Sequence, residues 1–480
     1  MIKVLLLFGA TGDLAARFLL PALAELYDAG KLPAGFRVVG TAREDWDDQA
    51  FRHYAAQSLD QYAKAQVSAA ARTALVRSLH YREVDFNDPG TVAAVVAAAG
   101  GKPAAGAAAE PVAAYLALPP AVFPSAVRAL GAIGLPEGSR IVLEKPFGED
   151  LQSAIALNAL LARVTGVAGE QAVFRVDHAL ALSTVQNLLG VRLANRVLEP
   201  VWNSTHIAQV DILWDETLAM EGRVSYYDKT GALKDVIQNH LLQILCLMAM
   251  EPPLTLGEED LRNGKLAVLR AVRPMTASDV ATRTRRARYT AGRLANTGGA
   301  DGRTVPSYMD EEGVDPKRCT ETFAEVVLEL DSWRWSGTRF LLRTGKALSE
   351  RRKEAIVRFR PVPHLPFGAE AGPPPPNELR IGLDGPHDFS LRLTGWAAGP
   401  PAHLAPLNLA ADLPAPDLPA YSRVLMDVLR GDSTLSIRGD EAEQAWRVLT
   451  PVLQGWAEDL VPLHTYPAGS SVAARAPAAG

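Results

Sequence analysis

One histidine stands alone in an apolar run: His240 in "VIQNHLLQILCLMAM", with Asp235 five residues before it in "KDVIQNH". An imidazole buried there needs a polar partner, because an unpaired buried polar group costs on the order of 1–3 kcal/mol. A second acid–histidine pair, Asp177–His178 in "FRVDHAL", is the natural candidate to supply it. A histidine oriented by a carboxylate is the usual composition of a general base working near neutral pH.

Three further segments carry chemistry of another kind. "FGATGDL" places Gly9 and Gly12 where a first strand should turn into a helix, the arrangement that aims backbone N–H groups and a helix N-terminus at a pyrophosphate. Thr11, Asp13 and Leu14 share that turn and are taken with it as cofactor-binding positions. The spacing is G-x-x-G rather than the commoner G-x-G-x-x-G. Arg43 in "GTARED" follows the expected second strand, where the adenosine ribose is read, and favours the 2′-phosphate of NADP; Glu44 and Asp45 beside it keep NAD open. Lys145 in "EKPFG" ends another strand beside Pro146, within reach of a nicotinamide and a substrate hydroxyl. Together these pieces outline a nucleotide-dependent oxidoreductase with a histidine base.

The elements that must hold these residues can be read from periodicity. An apolar run at 2–8, then "GFRVVGTAR", "SLHYREVDF", "PVAAYLALPP" and "GSRIVLEKPFG", alternate with helical stretches and predict a doubly wound parallel sheet, a Rossmann domain, over residues 1–176. From about residue 205 the texture changes. "HIAQVDILWDE", "TFAEVVLELD", "RFLLRTGK", "AIVRFRP", "NELRIGLD" and "FSLRLTGW" alternate and predict a larger β+α domain over 177–480 with a mostly antiparallel sheet. Helices are expected at 183–199, 233–250 and 440–458. Surface loops are expected in the proline-rich stretches 361–376 and 400–419, and a frayed tail in the last dozen residues.

Composition narrows the partners. A net charge of −5 leaves no footprint for nucleic acid or acidic lipid, and no apolar run of eighteen residues suggests a membrane span. Only Cys246 and Cys319 are present, so no disulfide framework is implied and a cytoplasmic setting is expected. No metal site is expected.

The blocks "GATGDLAARFLLPAL", "RIVLEKPFGEDLQSAIALN", "FRVDH", "VQNLLGVRLANRVLEPVWN", "SYYDKTGALKDVIQNHLLQ", "RWSGTRFLLRTGKALSER" and "AWRVLTPVLQGW" resemble, in this order, the glucose-6-phosphate dehydrogenase family. The resemblance implies a homodimer or homotetramer that oxidises C1 of a hexopyranose to the lactone. It makes His240 the base, Asp177 the carboxylate that orients it, and Lys145, Glu216, Asp235, Lys346 and Arg351 ligands of the sugar.

The chain also departs from that pattern. Where the family has "DHYLGKE" it reads "DHALALS", so a tyrosine and a lysine toward the substrate phosphate become Ala179 and Leu182, and His178 alone remains. Two lysines of the first helix become Ala16 and Phe18, and a glutamine facing the substrate becomes Asp384. Two charged hydrogen bonds lost without replacement would weaken phosphate binding by roughly a hundred- to ten-thousand-fold. Two alternatives arise: the same chemistry on a hexose with another C6 substituent or none, or a catalytically silent nucleotide-binding homologue.

Overall fold

The computed structural model describes residues 1–100, 109–220, 224–294, 302–367, 373–384, 388–397, 403–412 and 416–472. The chain packs as two compact units, one of 1–183, 253–263 and 416–446, the other of 184–252, 264–415 and 447–480.

The first unit contains β1 (Val4–Phe8), β2 (Arg37–Ala42), β3 (Leu79–Glu83), β4 (Val112–Leu116), β5 (Arg140–Glu144) and β6 (Val173–Val176), all parallel in the order β3-β2-β1-β4-β5-β6. This is the doubly wound sheet that the alternation predicts. β1 and β4 are buried along their whole length, as strands covered on both faces must be. A helix that the proline-rich surroundings hid, Ala420–Arg430, joins this core through Val424, Leu425, Val428 and Leu429.

Leu151–Ala172 has the length and apolarity of a membrane span by composition. Its α-helix is shorter: it runs from the capping box at Asp150 to Thr165, and Gly166 (φ 54°) and Gly169 (φ 53°) interrupt the segment beyond. At 1.5 Å per residue that helix falls short of the roughly 30 Å hydrocarbon layer.

The second unit holds β7 (Ile207–Asp215), β8 (Thr284–Thr290), a two-stranded ribbon β9 (Gly292–Leu294) and β10 (Arg303–Val305), then β11 (Phe323–Glu329), β12 (Arg339–Gly345), β13 (Arg352–Phe359), β14 (Glu378–Gly382), β15 (Asp388–Ala397), β16 (His403–Asp412) and β17 (Leu463–Pro467). Nine of these form one sheet in the order β16-β15-β14-β13-β7-β12-β11-β8-β17. Among the described residues of that sheet, only β7–β12 and β8–β17 pair in parallel, which confirms the mostly antiparallel expectation.

The stretch 400–419 is not a simple loop, because β16 lies inside it as the outer neighbour of β15. Pro406 is tolerated there since an edge strand can lack one N–H. The expected loop at 361–376 and the tail fall partly on 368–372 and 473–480, outside the described residues.

The expected helix at 233–250 forms, with a difference that matters. Leu233–Leu241 is π-helical and only Leu242–Ala249 is α-helical. In an α-helix, residues five apart point well away from each other. The i→i+5 bonding of a π turn stacks them, so Asp235 and His240 come onto one side.

Candidate functional site

In the first unit the glycine turn is built by backbone contacts. Gly9 and Ala10 both donate their N–H to the carbonyl of Thr41, at 2.8 and 3.0 Å, which ties the turn to the end of β2. Gly9 has φ +80°, and a Cβ there would lie 2.2 Å from the carbonyl oxygen of Ala117. Gly12 donates to the Gly9 carbonyl at 3.0 Å. The helix beyond is entered at Asp13 and is π-helical over Ala15–Leu19; the Ala16 N–H bonds back to the Gly12 carbonyl at 3.0 Å, and the N–H groups before it stand at the partially positive end. Asp13 pairs with Arg17 at 3.6 Å.

Beside this turn stands the end of β2. Arg43 is exposed, while Thr11 Oγ1 donates to Glu44 Oε2 at 3.1 Å and Tyr54 donates to the Thr11 carbonyl at 2.7 Å. The cation and the acid that pull cofactor preference in opposite directions are therefore both at the turn.

Register then places two more of the predicted residues. Glu144 of β5 pairs with Val176 of β6, so Lys145 and Asp177 follow at neighbouring strand ends. The Lys145–Pro146 bond is cis. Asp177 is 2 % exposed and accepts the Ala179 N–H at 3.0 Å. Glu144 is buried; burial pushes its carboxyl up to about 7, against the hydrogen bond it receives from Tyr115 at 2.5 Å. His178 stacks on Tyr421 at 5.1 Å between ring centroids, and Tyr421 in turn packs on Phe18. Ala179 is completely buried.

In the second unit His240 is 4 % exposed, its backbone N–H donated to Asn239 Oδ1 at 2.8 Å and its ring 5.6 Å from that of Trp214. Glu216 follows β7 directly. It forms a short ion pair with Lys346, whose ammonium also lies 5.6 Å from the Tyr227 ring centre. Arg351 reaches Asp384 at 2.8 Å. Burial pushes Glu216 up, yet Lys346 and Lys353 outweigh it and hold its carboxyl below the ordinary value. Asp384 behaves likewise, with Lys353 and Arg351 overcoming burial. The charge of Asp235 opposes the lowering at Glu216, which places Asp235 in the same field.

One residue of this cluster was missed in the sequence. Lys353 of β13 lies directly across from Trp214 of β7 and holds its ammonium 4.3 Å from the indole centre. It contacts Asp384 at 2.9 Å and Glu216 at 3.6 Å, so it joins the two carboxylates. Its position was hidden because "SERRKEAIVRF" reads as a charged stretch before a strand rather than as the strand's first inward position.

Comparison with known proteins decides the family. The NAD binding domain of glucose-6-phosphate dehydrogenase matches residues 6–187 and its C-terminal domain matches 189–479. The chain belongs to the glucose-6-phosphate dehydrogenase family. This is a family of NAD(P)-dependent oxidoreductases acting at the sugar C1.

The glucose-6-phosphate 1-dehydrogenase of Mycolicibacterium smegmatis is 41 % identical over 471 residues, 97 % of this chain and 93 % of that protein. A glucose-6-phosphate dehydrogenase solved in complex with glucose-6-phosphate superposes with a TM-score of 0.85 at 29 % identity, covering 98 % of this chain and 95 % of the other. The enzyme from Mycobacterium avium gives 0.83 at 31 %, with coverages of 98 % and 94 %. These likenesses favour the glucose-6-phosphate dehydrogenase expectation over both alternatives raised by Ala179 and Leu182.

Proposed function

We propose that the protein oxidises C1 of glucose 6-phosphate to the lactone with NADP as hydride acceptor. The observation that carries this reading is the match to both family domains from residue 6 to residue 479. The nucleotide-binding work is assigned to 1–176 and substrate binding and assembly to 177–480. The enzyme is taken to be a cytoplasmic homodimer or homotetramer with no nucleic-acid or membrane partner.

The residues of the turn suit a dinucleotide. The helix start after Gly12 offers N–H groups to a pyrophosphate through Thr11, Asp13 and Leu14, and Arg43 stands exposed for a 2′-phosphate. Lys145 at the end of β5 serves both cofactor and sugar. NADP, when bound, supplies the hydride acceptor.

His240 takes the proton from the C1 hydroxyl as the C1–H bond gives up its electron pair as hydride. That forms the lactone carbonyl and leaves an imidazolium, which the carboxylate of Asp177 orients and stabilises. Glu216, Asp235, Lys346 and Arg351 bind the sugar, Asp384 lines the same pocket, and His178 faces its C6 end.

Initial rates of reduced-nucleotide formation test this, using glucose 6-phosphate and glucose, each with NADP and with NAD. The highest kcat/KM is expected for glucose 6-phosphate with NADP. Preference for free glucose, or no reduced nucleotide with any pairing, would overturn it.

A further inference from the structure

Lys353 has the surroundings of a ligand-reading group rather than of a strut. Its side chain is 11 % exposed, and among the described residues it is the cation that contacts both carboxylates of the cluster. Glu216 is divided between Lys346 and Lys353, and Asp384 between Lys353 and Arg351. Of Lys353's two ionic contacts, that to Glu216 is long at 3.6 Å, and an ammonium has three protons to place.

The ammonium of Lys353 and the ring of the proposed base both lie against the indole of Trp214, at 4.3 Å and 5.6 Å from its centre. Lys353 and the His240 ring are therefore at most those two contacts apart, close enough for one hexose with C1 at the base to bring its C6 end to the lysine. Ala179 is buried and Leu182 is uncharged, so beside His178 these two positions bring no positive charge to such an ester.

We propose that Lys353 is a specificity-determining residue that reads the anionic C6 ester of the sugar, with Asp384 as the internal counter-ion that the ester displaces. This deepens the proposed function and rests on it for the placement of C1 at His240. In the absence of sugar, Asp384 bridges Lys353 and Arg351. When the ester arrives, both cations turn to it and Asp384 gives way.

The test compares Lys353→Met, Lys353→Arg and Asp384→Asn with the wild type on glucose 6-phosphate and on glucose. Thermal stabilisation by inorganic phosphate is measured in parallel. Lys353→Met is expected to raise KM for the phosphate ester roughly ten- to a hundredfold and to lower kcat/KM far more on the ester than on glucose. It should also abolish the stabilisation by phosphate. Lys353→Arg should restore most of the loss, and Asp384→Asn should lower KM for the ester.

A Lys353→Met variant that loses activity equally on both sugars, or an unchanged preference between them, overturns the proposal. So does an Asp384→Asn variant that binds the ester more weakly. If the wild type turns over no hexose while phosphate still stabilises it through Lys353, the reaction reading fails and the anion site stands.

Discussion

The glycine turn and the Glu216–Lys353 cluster, the two places proposed to hold charged ligands, are built in different ways. At the turn the backbone does the work: two N–H groups fixed on Thr41, a positive φ at Gly9, and the start of the helix at Asp13. In the cluster the work falls to side chains from four neighbouring segments of one sheet. Glu216 follows β7, Lys346 follows β12, Lys353 sits in β13 and Asp384 follows β14. Substitutions at the turn therefore act through sterics and stability. Substitutions in the cluster and at His240 act through chemistry and preference, with the fold largely spared.

The sharpest break of that contrast is His240→Asn. It keeps a polar side chain in the π-helical segment but removes the base, and kcat should fall by roughly 10²–10⁴-fold with the thermal midpoint little changed. A large drop in midpoint would move His240 to the structural side of the comparison.

Gly9→Ala should do the reverse. A Cβ 2.2 Å from a backbone carbonyl at φ +80° costs roughly 2–5 kcal/mol, the sum of a left-handed penalty and an overpacked contact. Denaturant unfolding reads it directly, and a variant as stable as the wild type would contradict the steric account.

Arg43→Ala is the exception on the nucleotide side, since it removes a side-chain contact rather than a backbone one. KM for NADP should rise roughly ten- to a hundredfold while KM for NAD stays put. Equal changes for both cofactors would show that Arg43 does not read the 2′-phosphate.

The smallest effect is a pH slope that each unit should show separately. Burial pushes Glu144 in one unit and Glu321 in the other up to about 7 from an ordinary 4.5. Each binds its proton more tightly in the folded chain than in the unfolded one. The stability this contributes is complete below about pH 4.5 and is lost as pH rises through about 7. Calorimetric midpoints between pH 5 and 8 should fall less steeply in Glu144→Gln and in Glu321→Gln than in the wild type. Parallel slopes would remove these carboxyls from the stability of their units.

Legibility in the sequence follows the same divide. The parallel sheet could be read because β1, β2, β4 and β5 are short apolar runs punctuated by glycine and proline, a signal that needs no tertiary knowledge. β8, "TRRARYT", could not, because its charge conceals the alternation. Arg286 is buried there only because Asp459 and the Val461 carbonyl, far along the chain, satisfy it. Nor could the π turn at Leu233–Leu241: five-residue spacing between Asp235 and His240 looks like opposite faces until the helix widens. Lys353 was hidden for a related reason, since only the pairing of β13 with β7 reveals that it lies over Trp214.

The central claim is hydride removal from C1 by a histidine-assisted oxidation. Turnover of glucose 6-phosphate deuterated at C1, followed by proton NMR of the nucleotide product, addresses it without relying on any variant. The account predicts deuterium at C4 of the reduced nicotinamide and a lactone as the sugar product. A reduced nucleotide free of deuterium, with the label still on the sugar, would contradict it.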